Sequence, residues 1–291
     1  VEIAVKRDLV MGVATGYTWP ELRPYAVSLA RCGFKGEKLM FVNGLAPETA
    51  YKLESLGFNL IEFELPKELA DCDSQSNVGA WTILGQYRHF LAEQYLKEHT
   101  GEFRFVLWAD VRDVVFQTDP FEWIAEHLKE PYSLIAAREC WRIVNQPHNN
   151  QWARFTAPAE YEWLKEQEVL CAGTIAGTAE TMLKLHEAVY AAAQTLDPRS
   201  NDQGIFNYIV RKPPFLDLCI VPNMAAGFVA TGWNTKRYEP YAYSTDDAPV
   251  FNVGDYVVYT PDGVTPFAIS HQYDRDCNWR YCIEKIMEAA E

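Results

Sequence analysis

No stretch of this chain reaches the roughly 18–20 consecutive apolar residues that a membrane-spanning helix requires. Its first residues show no basic segment leading into a short apolar core. Basic residues are in deficit, and the formal net charge is −14. A general surface for nucleic acid or anionic lipid needs a basic face, so the charge argues against both. It leaves room for one small anion whose charge a metal offsets locally. The seven cysteines (Cys32, Cys72, Cys140, Cys171, Cys219, Cys277, Cys282) form no Cys-x-x-Cys pair. An odd, dispersed set reads as mostly free thiols in a reducing compartment, with a Cys277–Cys282 bridge left open. The expected compartment is therefore the cytoplasm, or a lumen if an upstream anchor was removed. Because the chain starts at Val1, a processed or trimmed terminus is expected. Internal repeats, low-complexity tracts and polar linkers are also missing, so a single domain is expected.

What is present is apolar residue. Of 291 residues, 48% are apolar, ample for a sizeable core. Aromatics make up 14% of the chain, with nine Trp and sixteen Tyr. That content suits sugar-binding surfaces and aromatic-rich cores alike. Apolar strands at Leu9–Thr15, Lys38–Val42 and Phe58–Phe63 alternate with helices from about Trp19 to Arg31 and from Ala46 to Leu56. Thr18 and Glu21 make a capping box for the first helix, with Pro20 in its first turn. Such β-α-β-α-β alternation signals an α/β fold with a mainly parallel sheet. A polar connection is expected over residues 65–78, then a long helix over Ala80–His99 and a strand over Phe103–Ala109. Further strands are expected at Ser133–Ala137 and Val169–Ile175, and helices at Thr178–Leu196, Asp202–Val210 and Cys277–Ala290. Residues 139–158 read as a long irregular stretch, and 213–268 as short strands and loops.

The run Phe105-Val-Leu-Trp-Ala-Asp110-Val-Arg-Asp113 carries the most chemistry. A buried strand ends there in two carboxylates. In open α/β sheets, ligands bind at the carboxyl ends of strands. Two hard oxygen ligands suit Mg²⁺ or Mn²⁺, with a diphosphate completing the coordination shell. Asp119, followed by Pro120 and Glu122, reads instead as a helix N-cap.

Four ordered pieces resemble the retaining GT-A glycosyltransferases related to glycogenin and the bacterial lipooligosaccharide galactosyltransferases. They are Asp110-Val-Arg-Asp113, Cys171-Ala172-Gly173, Asn201-Asp202-Gln203 and Ser270-His271. The resemblance implies a three-layer α/β/α sandwich with a mostly parallel central sheet. It implies a nucleotide-binding half over about 1–120 and a donor-sugar and acceptor half over about 121–291. It further implies a nucleotide-diphosphate sugar as donor, a saccharide or glycoconjugate as acceptor, and Mn²⁺ or Mg²⁺ as cofactor. Asp110, Asp113 and His271 would hold the metal, and Asp110 would also belong to the nucleotide site; which of the two acids ligates the metal directly and which contacts the ribose is left open. Asp202 and Gln203 would face the anomeric carbon as the catalytic pair, and retention is expected from them. Ala14, Thr15 and Tyr17 would hold the base, Arg88 a phosphate or a carboxylate of the acidic motif, and Ala172 and Gly173 the sugar. The family usually has Asp-x-Asp where this chain has Asp-x-x-Asp, and Asn where it has Cys171.

Simpler readings stand beside these. Asp113 can cap a turn, Asn201 or Asp202 a helix, and His271 can be a hydrogen-bonded core residue. Arg88 can be a surface ion pair, and Gly173 can serve tight packing. His89, His99, His127 and His186 sit on helices without metal-ligand spacing. Trp141, Trp152, Trp163 and Trp233, with His148, Asn149 and Asn150, are candidates for contacting an acceptor. Two rival functions remain: a Mg²⁺-dependent phosphohydrolase of the haloacid-dehalogenase type, and a non-catalytic sugar-binding module on the same fold.

Overall fold

A computed structural model describes residues 6–65, 77–232, 249–252, 254, 257–275 and 277–288. Strands β1 (Arg7–Thr15), β2 (Glu37–Asn43), β3 (Phe58–Glu62) and β4 (Phe103–Ala109) pair in parallel. Alternate residues on these strands serve opposite faces of the sheet, and both faces are covered. Val10, Ala14, Met40, Val42 and Leu107 pack on one face; Leu9, Met11, Leu39, Phe41 and Trp108 pack on the other. That is why the strands read as unbroken apolar runs.

Helices α1 (Trp19–Arg31), α2 (Pro47–Ser55) and α4 (Pro120–His127) contribute to the first core. The start of α1 is as expected: Glu21 accepts the Thr18 backbone N–H at 2.8 Å. Asp119 caps α4 by accepting the Phe121 N–H at 2.9 Å. The opposite face carries α3 (Asn77–Glu98), α7 (Ala179–Ala193) and α8 (Asp202–Ile209). The helix expected from Ala80 starts earlier, at Asn77, while residues 66–76 of the polar connection lie outside the described residues.

Strands β6 (Leu134–Arg142), β7 (Glu168–Thr178) and β8 (Cys219–Ile220) extend the sheet in the order β3-β2-β1-β4-β7-β6-β8. Only β7 runs against its neighbours, so the sheet is mostly parallel. A smaller sheet joins β5 (Val114–Phe116), β12 (Ile269–His271) and β9 (Val229–Thr231). It packs with helix α9 (Cys277–Glu288) through Val115, Ala230, Phe267 and Trp279. Strands β10 (Val250–Asn252) and β11 (Val257–Tyr259) form a separate pair.

Residues 139–158 are not the irregular stretch expected. Strand β6 continues to Arg142, and α5 (Pro147–Thr156) follows after a single 3-10 turn. Gln146 caps that helix by accepting the Asn149 N–H at 2.6 Å, and Pro147 opens its first turn. Polar composition concealed a short amphipathic helix. The adjacent α6 (Tyr161–Leu164) is a single turn.

Candidate active site

The chain leaves the central sheet at Ala109 and enters the small sheet at Val114. Asp110 to Asp113 is that crossing. Each end is pinned by backbone: the Asp110 N–H donates to Gly173 at 2.8 Å, and the Gln272 N–H donates to the Asp113 carbonyl at 2.7 Å. Strand β7 supplies its part through a bulge. Ala136 faces Ile175, whereas Ala137 faces Cys171, leaving Ala172, Gly173 and Thr174 without partners on β6. A second bulge gathers Glu139 to Trp141 between the Arg138–Leu170 and Arg142–Glu168 pairs. Bulges re-aim side chains beside functional sites, and these two follow one another along the β6–β7 ladder, separated by the Ala137–Cys171 and Arg138–Leu170 pairs.

Asp110, Asp113 and His271 converge, one ligand atom from each lying within 4.8 Å of the others. His271 Nε2 lies 3.6 Å from Asp110 Oδ2 and 3.5 Å from Asp113 Oδ1. Its other nitrogen, Nδ1, contacts Thr174 Oγ1 at 2.7 Å and Cys171 Sγ at 3.5 Å. His271 Nε2 is buried and makes no hydrogen bond. A buried nitrogen aimed between two carboxylates, with its partner nitrogen already engaged, is a donor set that fits Mn²⁺ or Mg²⁺. Burial disfavours charge on His271, but Cys171, Asp110 and Asp113 outweigh it and raise its pKa well above the usual range. Asp113 is the more buried of the two acids: its side chain is 8% exposed, against 35% for Asp110. His271, Arg112 and Arg275 lie against its carboxylate.

Gly173 makes this approach feasible. A Cβ there would overlap Asp110 Oδ2 and stand 2.6 Å from His271 Cε1.

Arg88 joins the acids to the opposite wall. Its guanidinium contacts Asp110 Oδ1 at 2.6 Å and Asp202 Oδ2 at 2.5 Å, and donates to the Ala172 carbonyl at 3.3 Å. Arg88 is therefore not a surface pair. Burial would raise the pKa of both carboxylates, but Arg88 outweighs it, with His271 helping at Asp110 and His89 at Asp202; both stay below the ordinary range.

Asn201 and Asp202 also cap α8, each accepting the Gln203 N–H, at 2.9 and 2.8 Å. The Gln203 carboxamide is held at both ends. Its oxygen accepts from Ala172 N at 3.3 Å, and its nitrogen donates to Asn149 Oδ1 at 3.0 Å and Glu139 Oε1 at 3.5 Å.

Arg88, Asp110, Asp113, Gly173, Asp202 and Gln203 line a cleft of about 680 Å³, whereas His271, 1% exposed, contacts the two acids without lining it. Val13, Thr15 and Tyr17 also line it, as do Trp108 and Trp152. Burial, then Asp110, pushes the Tyr17 phenol up to about 12, so it stays protonated. Ala14 and Ala172 do not line the cleft. Their side chains are packed into the two cores, and Ala172 meets Arg88 and Gln203 through its backbone.

Of the acceptor candidates among the described residues, only Trp152 lines the cleft, with the exposed His148 ring 5.9 Å away. Trp141 is buried beneath α5. Asn149 is buried against Gln146 and Gln203, and Asn150 accepts from Tyr161 Oη at 2.5 Å. Trp163 instead sits under Lys212. Trp233 lies outside the described residues, as do the side chains of Cys277 and Cys282.

Sequence reasoning missed Glu139, Thr174, Gln272 and Trp108. Glu139 is 1% exposed and is also contacted by Gln272 Nε2 at 3.1 Å; burial raises its pKa. The signal available was a lone carboxylate following the apolar run Leu134-Ile-Ala-Ala137, between Arg138 and Arg142.

No protein-family model matches the chain, and no curated protein matches it in sequence. Solved structures do match in shape. The galactosyltransferase LgtC, in complex with donor and acceptor sugar analogs, aligns at a TM-score of 0.60 and 15% identity, covering 97% of this chain and 95% of that one. An active-site mutant of LgtC aligns at 0.57 and 16% identity, with the same coverage. Mouse xyloside xylosyltransferase 1 in its apo form aligns at 0.52 and 15%, covering 94% of this chain and 99% of that one. Among the described residues no helix is long and apolar enough to cross a membrane. With one inverted strand in a mostly parallel sheet, and acids where that sheet gives way to a smaller one, this chain has the fold of the GT-A glycosyltransferases.

Proposed function

We propose that this protein is a metal-dependent glycosyltransferase, moving a sugar from a nucleotide-diphosphate donor to a saccharide or glycoconjugate acceptor with retention of configuration. One observation carries the reading: the unpartnered Nε2 of the buried His271 faces Asp110 and Asp113, the two acids that line the cleft. A cation would displace the proton that the two acids favour on His271, so that a neutral imidazole and two carboxylates would hold Mn²⁺ or Mg²⁺. A cation there would offset charge on the departing diphosphate as a Lewis acid.

The chain's own residues would do the rest. Thr15 and Tyr17 would seat the base and ribose in the half before residue 120, with Asp110 near the ribose. Arg88 keeps Asp110 and Asp202 ionised and apart. Asp202 would present negative charge to a developing oxocarbenium-like centre. Gln203, held by Ala172, Asn149 and Glu139, would fix the sugar's position beside it. Gly173 would let the donor approach the backbone, and Trp152 would stack on the acceptor. The rival phosphohydrolase expects its nucleophile on a strand near the chain start, two residues before its partner acid. Here β4 comes fourth, and the acids are three positions apart.

A thermal-shift panel of nucleotide sugars with and without Mn²⁺ tests the reading. A donor should raise the melting temperature only with the metal, by mass action, and then support sugar transfer. Shifts with phosphate esters but with no nucleotide sugar would reject it.

A further inference from the structure

Behind the cleft wall lies a polar chain that the roles above leave unused. His89 on α3 and His186 on α7 are both fully buried. Their Nδ1 atoms stand 2.9 Å apart, so one ring donates and the other accepts. His89 Nε2 faces Asp202 Oδ2 at 3.8 Å. Both rings flank Trp108, with centroids 6.1 and 5.2 Å from its own, and Trp108 lines the cleft. Gly85, one helical turn before His89, leaves space for the carboxylate: a Cβ there would lie 3.0 Å from Asp202 Oδ1.

Two proton arrangements satisfy the 2.9 Å contact between neutral rings. In one, His89 carries its proton on Nδ1 and turns an Nε2 lone pair towards the Asp202 carboxylate. In the other, His186 carries its proton on Nδ1, and His89 turns an Nε2–H towards that carboxylate. A buried anion repels the lone pair and attracts the N–H, so the second arrangement wins. Burial lowers the pKa of both rings, which keeps them neutral. The dominant partner of Asp202, Arg88, is shared with Asp110.

We propose that Asp202, His89 and His186 form a relay of fixed tautomers in which the two histidines position the Asp202 carboxylate at the cleft wall. The relay gives Asp202 a partner that does not also serve Asp110. His89 and His186 are positioning residues, because neither lines the cleft. Its effect on turnover rests on the function proposed above, whereas the proton arrangement does not.

Nitrogen-15 NMR of histidine-labelled protein reads the tautomers directly, with resonances assigned from His89→Gln and His186→Phe. The expected result is Nε2–H at His89 and Nδ1–H at His186 near neutral pH. Asp202→Leu removes the anion and should shift the tautomer ratio at least about tenfold towards the alternative. An Nδ1–H tautomer at His89 in the unmodified protein overturns the proposal, and this arm stands even if Asp202→Leu fails to fold. An unchanged ratio in folded Asp202→Leu also overturns it. Where sugar transfer is measurable, His186→Phe should lower kcat about tenfold while leaving the donor KM unchanged. An unchanged kcat refutes the positioning role. If no transfer is found, the tautomer result still decides the relay, and only the function proposed above fails.

Discussion

The two halves of the molecule bury different chemistry. Up to Ala109, the buried polar side chains among the described residues are Ser28, Thr49, Thr82, Gln86, His89 and Glu93, and all six lie on helices. Strands β1 to β4 bury apolar residues only. From Asp113 onward, buried polar groups also sit on strands, bulges and helix starts, among them Glu139, Asn149, Thr174, Asp202 and His271, while Thr156, His186 and Asn207 lie on helices as in the first half. The first half is held by area removed from water, which tolerates conservative exchange. The second half encloses a network in which each member needs its partners. The site lies on the boundary, where β4 hands the chain to the small sheet.

A pair of substitutions gives the widest separation. Asp113→Ala should weaken Mn²⁺ binding by about a hundredfold or more and abolish metal-dependent transfer. Leu39→Ala in β2 should cost about 2–5 kcal/mol of stability with Mn²⁺ affinity unchanged. Metal titration and urea denaturation of both proteins check this. A stable Asp113→Ala protein that binds Mn²⁺ normally would erase the distinction.

Trp152→Ala tests the far wall. The acceptor KM should rise about tenfold, the worth of one aromatic contact, while donor affinity holds. A lowered melting temperature with unchanged acceptor kinetics would make Trp152 a packing residue, because it also meets Gly204, where a Cβ would lie 2.8 Å from the Trp152 Cβ.

Glu139 gives the polar half a pH signature. Burial raises its folded-state pKa, so the folded protein keeps a proton that the unfolded chain releases in the ordinary glutamate range. This contribution to stability is full below that range and is lost as pH rises through the folded value. Glu139→Gln cannot ionise, so it should flatten that part of the stability–pH curve. Parallel curves for the two proteins would show that Glu139 titrates normally. The smallest expected effect lies outside the site: Asp119→Ala removes the α4 cap and should cost about 1 kcal/mol, with Mn²⁺ affinity untouched. A drop in that affinity would mean that the site depends on α4.

The first half was legible because its signals are local. Period-2 burial in β1 to β4, the Thr18–Glu21 box and the Asp119 cap each need only neighbours in sequence. Residues 139–158 were not legible, because a strand extended by a bulge and a helix capped by Gln146 carry little apolar pattern of their own. Ala14 was assigned to the cleft although the pleat turns Val13 and Thr15 there instead.

The sequence by itself determined the alternation of strands and helices, and a strand ending in Asp110 and Asp113. It also marked Asp202, Gln203 and His271 for attention through resemblance. Only the tertiary structure decided that His271 reaches the two acids, that Arg88 bridges Asp110 and Asp202, and that Glu139, His89 and His186 stand behind them. Periodicity and caps arise from forces between neighbours along the chain. The site depends on contacts between residues as distant as Arg88 and Asp202, or Asp110 and His271, and those exist only after two sheets and two bulges have set their register.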